Sequence, residues 1–402
     1  MLSKLLIEQV IESQKQRLLS FEKGLLRTNN NFKVLPTFAI IITGIRRCGK
    51  STLLRQIHKS YKLSSIYIDF EDPRIVGFDV SDFNKLSEIA GEKNIHTFFF
   101  DEIQNIDKWE NFVRFKLDEG DNIFITGSNA SMLSKELGTK LTGRHLSSEL
   151  FPFSYLEFLK LNNKKANKDT SLEYLVMGGF PEYLKNKLPE TLMHTFNDII
   201  VRDIANRYNI KNVAILKQLA VWLISNIGKP ISGNSIKKIF SIASSSTIME
   251  YLVFFADSYL FFFIPKFSYS HKIQIVNAKK VYSIDTGLIN VNSNSFTEDK
   301  GRVLENLVFL HLRRKNNEIY YYSNKNECDF VCFSKNKLSG LFQVCWQLNE
   351  DNLKRELAGI TEAMDFFKET KALIITFNQQ DKFIVDNKEI IAIPFYKWAK
   401  IV

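Results

Sequence analysis

The chain has 402 residues, a formal net charge of +10, an apolar share of 45% and a charged share of 24%. These values exclude a disordered polymer, and four cysteines in this length exclude a disulfide scaffold. The positive balance suits a polyanionic partner such as nucleic acid, or a lysine-rich surface with no such partner, because no basic tail concentrates the charge.

The opening stretch MLSKLLIEQVIESQKQRLLSFEKGLL shows helical apolar spacing, and its apolar run is too short for a secretory signal core. With few cysteines, this points to a reducing cytoplasm and no membrane. From Phe38, FAIIITGIRRCGKSTLLRQI reads as a buried strand, a glycine-rich loop and a helix. Gly44 to Ser51 fits G-x-x-x-x-G-K-[ST], the phosphate-cradling loop. Gly44 and Gly49 permit a tight turn, so that backbone N–H groups of the loop, through Arg46, Arg47 and Cys48, converge on phosphate oxygens. Lys50 reaches the β- and γ-phosphates of ATP, Ser51 holds Mg²⁺, and Thr52 continues the helix whose positive end faces the same phosphates.

Next, IYIDFEDPR reads as a strand whose acids are structural. NIHTFFFDEIQNI, 94 to 106, is a buried parallel strand ending in Asp101 and Glu102. There Asp101 serves the metal and Glu102 orients or deprotonates the attacking water. DNIFITGSNASML ends a further strand in Ser128 and Asn129, either γ-phosphate contacts or a helix N-cap. Arg144 in LGTKLTGRHLSSELF follows a helical stretch and precedes a strand. It fits an arginine finger, acting in cis or from a neighbouring subunit, or else an ordinary surface ion pair.

These elements resemble the AAA+ and related ASCE-type P-loop ATPases. More closely, GIRRCGKST, YIDFEDPR, FFFDEIQ, TGSNA and LTGR resemble a widespread prokaryotic family of AAA+-type ATPases with a long C-terminal region of unassigned function. The resemblance implies an α/β fold: a P-loop parallel-sheet ATPase core over 1–160, a helical lid over 161–212, a winged helix over 213–292 and an α/β nuclease-like domain over 293–402. It also implies ATP and Mg²⁺ as ligands. In the lid, Gly178-Gly179-Phe180-Pro181 resembles a Gly-x-Pro turn that packs near adenine, with Pro181 as the contact; the alternative is a plain helix break. Arg202, in HTFNDIIVRDIANRYNI, is expected to sense the γ-phosphate or to pair with Asp198 or Asp203 on the helix surface.

Residues 213 to 290 read as three helices and a hairpin, the arrangement of a winged helix. Bound to DNA, such a module puts its third helix in the major groove. Ser244 to Thr247, Lys266, His271 and Lys272 are the candidate phosphate contacts, although the third helix carries little positive charge. YLVFFADSYLFFFIPKF, 251 to 267, is interrupted by Asp257 and Pro265 and is read as buried core.

From about 300 the pattern is helix, three strands, helix and strand, and it resembles the PD-(D/E)XK nuclease fold. Glu305 and Asp329 match its first two acids. Gln343 and Cys345 stand where a carboxylate and a lysine are expected, so two working groups are missing; Glu327 is a possible substitute ligand. A retired nuclease fold kept for binding is the expectation here. The cysteines of these strands read as small apolar residues, not as zinc ligands. The whole chain thus reads as an ATPase that couples nucleotide state to its C-terminal region and acts on or with nucleic acid. The rival readings are a slow nucleotide switch working through a protein partner, as a monomer or an oligomer, and an ATP-regulated nuclease.

Overall fold

The computed structural model describes the chain except residues 22–23, 28–34, 36, 62–63, 131–139, 142, 241–243, 295–298 and 402. The helical stretch expected ahead of Arg144 lies largely outside the described residues. The chain divides into two compact units, Met1–Phe151 and Pro152–Val402.

The first unit is a five-stranded sheet. Its strands are β1 (Ala39–Thr43), β2 (Ile66–Asp69), β3 (Thr97–Asp101), β4 (Asn122–Gly127) and β5 (His145–Glu149). They run parallel in the order β2-β3-β4-β1-β5, so β4 sits between β1 and β3. Burial on both faces explains the unbroken apolar runs. Along β3 the phenylalanines alternate. Phe98 and Phe100 face α1 (Lys4–Leu19), α3 (Asp82–Glu92) and α4 (Trp109–Asp118) in one core. Phe83 and Phe112 stack at 4.2 Å within that core. Phe99 turns to the opposite face, stacks on Phe124 at 4.5 Å and meets His58 of α2 (Lys50–Ser60). Truncating such a buried ring costs about 3–5 kcal/mol. Parallel pairing brings the C-terminal ends of β1, β3 and β4 to one edge, where ligands bind in such sheets.

The second unit begins at Pro152, earlier than the expected boundary at 160. Helices Tyr155–Leu161, Lys168–Met177, Pro181–Asn186 and Pro189–Asp198 come first, and the last continues as π-helix over Ile199–Asn206. Helices Val213–Ile224, Gly233–Phe240 and Ser245–Asp257 follow, with the sheet β6-β8-β7, made of β6 (Pro230–Ile231), β7 (Phe261–Pro265) and β8 (Lys279–Ser283). The expected hairpin turn holds a short helix, His271–Val276. HKIQIV reads as alternating strand, but the Gln274 side chain donates to Ser268 O at 2.6 Å and its backbone N–H donates to Ser270 O, closing a helical turn.

Helix Lys300–Arg313, β9 (Glu318–Ser323), β10 (Glu327–Ser334), β11 (Lys337–Cys345), helix Glu350–Phe367 and β12 (Lys371–Thr376) keep the expected order. β13 (Asp381–Val385) and β14 (Lys388–Pro394) complete a mixed sheet ordered β13-β14-β12-β11-β10-β9. Helix Glu350–Phe367 crosses β10 so closely that a Cβ on Gly359 would lie 2.1 Å from Glu327 O. The three regions expected after residue 160 form one body because side chains interleave between them. Tyr282 of β8 stacks on Phe309 at 4.5 Å and meets Phe330 at 5.5 Å, and all three rings are fully buried. Among the described residues, no single helix is long and apolar enough to cross a membrane.

Candidate active site

The loop between β1 and α2 is shaped by one close approach. Gly44 has φ +152°, and a Cβ there would lie 2.1 Å from Leu150 O. Gly49, at φ +103°, precedes the first turn of α2. The loop residues do not all face one way. Cys48 is buried, and its Sγ lies 3.3 Å from Leu150 O; burial pushes its thiol pKa up. Arg46 lies 3.3 Å from Glu71, and Arg47 takes the left-handed conformation at φ +62°. Thr52 is half-buried on the first turn of α2.

Lys50 is buried, with its side chain 3% exposed. Its ammonium donates to Ile45 O at 3.1 Å and lies 3.5 Å from Glu102 Oε1. Ser51 donates to Asp101 Oδ1 at 3.1 Å. Thr126 of β4 donates to the same oxygen, and Tyr67 of β2 donates to Oδ2 at 2.7 Å. Three donors from three elements thus fix one carboxylate at the sheet edge. Burial, then the neighbouring Glu102 charge, pushes the Asp101 pKa up. Burial and the Asp101 charge push the Asp69 pKa up to about 6.

Glu102 takes the left-handed conformation, φ +53°, and donates its backbone N–H to Thr126 Oγ1 at 2.9 Å. Burial works to raise its pKa, but the Lys50 ammonium and a hydrogen bond from Gln104 outweigh that and hold it below the usual carboxylate range. Gln104 donates to Glu102 Oε2 and lies 3.3 Å from Ser128 Oγ, while its own Oε1 is buried with no hydrogen-bond partner. Ser128 and Asn129 are buried at the end of β4, beside this group. If Gln104 holds Glu102 ionised, Gln104→Ala is expected to shift the acid limb of the kcat/KM profile for ATP to higher pH. The ATP affinity should stay unchanged; an unmoved limb would show that Gln104 does not act on Glu102.

Arg144 is placed elsewhere. It precedes β5, and its carbonyl accepts from Ala39 N–H at the first residue of β1. Its guanidinium lies 2.7 Å from Asp118. The loop follows the far end of β1, about 13 Å along the strand at roughly 3.3 Å per residue. The strand direction therefore puts Arg144 at the opposite end of β1 from the loop. Arg202, in the second unit, is largely exposed, with Nε 3.5 Å from Asp198 Oδ1, the helix-surface ion pair. Pro181 opens helix Pro181–Asn186; the turn before it is tied to Asp285 through the Gly179 N–H at 2.6 Å and to Phe153 through Gly179 O at 2.7 Å.

In the second unit, Glu305, Glu327 and Asp329 surround Lys280 Nζ at 3.0, 2.8 and 2.9 Å. Gln343 accepts from Asp329 N–H and donates to Glu356 at 2.7 Å. Cys345 is buried, as are the other cysteines. Sequence reading missed Tyr67, Thr126, Glu356 and Lys280, because each arrives from a neighbouring strand or helix, and it missed Gln104, two residues after Glu102, because no local spacing announces its role.

Residues 36–159 match the family profile of an AAA domain, and residues 168–299 match that of a domain of unknown function. The first unit is therefore a P-loop domain of the AAA type. The chain is 38% identical to the uncharacterized protein MJ1544 of Methanocaldococcus jannaschii, over 98% of this chain and 95% of that one, and it belongs to the same family. An uncharacterized protein of Haemophilus influenzae is 28% identical over 88% of this chain and 92% of its own. Among solved structures, the chain is similar to the Walker-type ATPase PABY2304 of Pyrococcus abyssi, at 14% identity, 70% and 95% coverage and a TM-score of 0.41. It is also similar to AMPPCP-bound DnaA from Aquifex aeolicus, at 15% identity, 60% and 85% coverage and a TM-score of 0.26.

Proposed function

We propose that the first unit binds ATP with Mg²⁺ and hydrolyses it, and that the second unit responds to the nucleotide state. The supporting observation is the convergence of Lys50, Ser51, Asp101 and Glu102 on one sheet edge. Ser51 and Asp101 are hard oxygen donors 3.1 Å apart, which fits Mg²⁺ held by the hydroxyl and, through the carboxylate, its hydration shell. The metal supplies charge neutralisation on the phosphates. Lys50 transfers from Glu102 to the β- and γ-phosphate oxygens when ATP binds. Glu102 takes a proton from the water that attacks the γ-phosphorus. The bond from that phosphorus to the β–γ bridging oxygen breaks, and ADP leaves with the bond's electron pair. Gln104 Oε1, a buried acceptor without a partner, accepts the water's second O–H. Arg144 serves only a neighbouring copy's site, if any.

The second unit's partner is a protein or a nucleic acid. The net charge and the three helices with the β6-β8-β7 sheet support a winged helix that meets nucleic acid. The exposed face of its third helix is Ser245, Ser246, Met249, Glu250 and Val253, with no cation. That face favours the second reading, a nucleotide switch acting through a protein, because phosphate contacts need Lys or Arg. The cytoplasm is the proposed location. Steady-state ATP turnover measured with and without duplex and single-stranded DNA separates the two. A rate indifferent to DNA supports the switch; stimulation that vanishes in Glu102→Gln overturns it in favour of an ATPase working on nucleic acid.

A further inference from the structure

The second unit holds a buried ionic site that the ATP reading does not use. Lys280 lies on the central strand of the β6-β8-β7 sheet, paired with Pro230 on one side and Ile264 on the other. Its side chain is 2% exposed. It points out of that sheet into the acids of helix Lys300–Arg313 and β10. An ammonium has three N–H donors. Here the ammonium donates to Glu305 Oε1 at 3.0 Å and to Asp329 Oδ1 at 2.9 Å, and it pairs as an ion with Glu327 Oε1 at 2.8 Å. Two of these acids have further donors. Tyr282, two residues on, donates to Glu305 Oε1 at 2.6 Å, and Asp329 Oδ2 accepts from Val344 N–H at 2.9 Å.

The spacing fits an ammonium and not a metal. Oxygens bind Mg²⁺ at about 2.0–2.1 Å and Ca²⁺ at about 2.3–2.6 Å, whereas the three carboxylates stand at ordinary charge-assisted hydrogen-bond distance from nitrogen. Among the described residues, no set of three such side chains converges on a metal-sized point. A divalent ion entering between Glu305 and Asp329 would also lie next to a positive charge that burial keeps from moving into water. Further contacts hold the strand in place. Tyr321 OH donates to Ala278 O at 2.8 Å, and Phe267 N–H donates to Tyr321 O at 2.7 Å.

We propose that Lys280 is a built-in cation that fills the acidic site of Glu305, Glu327 and Asp329, closes it to divalent ions and fastens the β6-β8-β7 sheet to helix Lys300–Arg313 and β10. The consequence is a site whose charge depends on where β8 sits. Any movement that withdraws β8 leaves three carboxylates without their cation. Burial, only partly offset by Lys280, pushes the Glu305 pKa up to about 7, so losing that cation drives Glu305 further toward its protonated form. This inference is independent of ATP hydrolysis in the first unit.

Mn²⁺ binding by the full chain, read by electron paramagnetic resonance without nucleotide, tests it. The wild type is expected to bind no Mn²⁺ that Glu305→Gln removes. Lys280→Met is expected to gain one Mn²⁺ per chain, at least about tenfold tighter than any binding by the wild type, and to lose it again when Glu305→Gln and Asp329→Asn are added. Mn²⁺ should also raise the Tm of Lys280→Met and leave the wild type unmoved. Mn²⁺ bound by the wild type and lost in Glu305→Gln would overturn the proposal, as would a folded Lys280→Met that gains no site. If Lys280→Met does not fold, the wild type and Glu305→Gln decide alone.

Discussion

Glu102→Gln is expected to lower kcat for ATP hydrolysis by roughly 10²- to 10⁴-fold, the range of a general base, while ATP still binds. Glu102 is buried, yet the Lys50 ammonium and the Gln104 amide hold its pKa below the usual carboxylate range, so it is ionised at neutral pH and able to take a proton. Its left-handed backbone and the bond from its N–H to Thr126 are unaffected by the change, so the loop keeps its shape. The substitution also removes the carboxylate 3.5 Å from Lys50. The ammonium is then freer to bind phosphate, and the variant should hold ATP as tightly as the wild type or more so. Filter binding of labelled ATP beside phosphate release checks both halves. A turnover rate within a few fold of wild type would exclude Glu102 as the base.

Lys50→Ala is expected to act on binding first. In the proposed ATP complex the ammonium contacts two phosphates, each contact worth about 1.5–3 kcal/mol, so ATP affinity should fall by at least roughly 100-fold. Turnover at accessible ATP concentrations should be lost with it. The nucleotide-free protein should also suffer. Asp101 and Glu102 are adjacent and buried, and Lys50 is the cation between them and the loop. Lys50 helps hold the Glu102 pKa below its unfolded value. A depressed carboxylate contributes stability above its unfolded pKa that is lost as pH falls through the folded one, and the variant loses the Lys50 share of it. Thermal unfolding of Lys50→Ala should therefore show a deficit against wild type that is smallest in acid and widens toward neutral pH. A constant deficit would place the effect in packing instead.

What the sequence made legible follows from strand chemistry. β1, β3 and β4 are buried on both faces and appear as continuous apolar runs, and Gly44 to Ser51 carries its own spacing. The helical spacing of the first residues likewise appears as α1, with Ile7, Val10 and Ile11 in the core. The hydrogen-bond partners of Asp101 were hidden, because Tyr67 and Thr126 reach it only through strand order. The place of Arg144 was hidden for a like reason, because a position in the chain does not say at which end of a strand a residue falls. The β13–β14 hairpin went unmarked because Asp386 and Asn387, at φ +47° and +60°, make its two-residue turn without the glycine that usually signals one. Lys280 was out of reach for a third reason: it stands 49 residues from Asp329 and in another sheet, so only packing brings them together.

The most direct test is a single turnover of ATP by the wild-type chain with Mg²⁺ and protein in excess, following inorganic phosphate. The expected result is phosphate rising to one equivalent per ATP, abolished when Mg²⁺ is chelated. ATP that binds stably and is recovered intact, in a chain with Lys50, Asp101 and Glu102 unaltered, would contradict hydrolysis at this site.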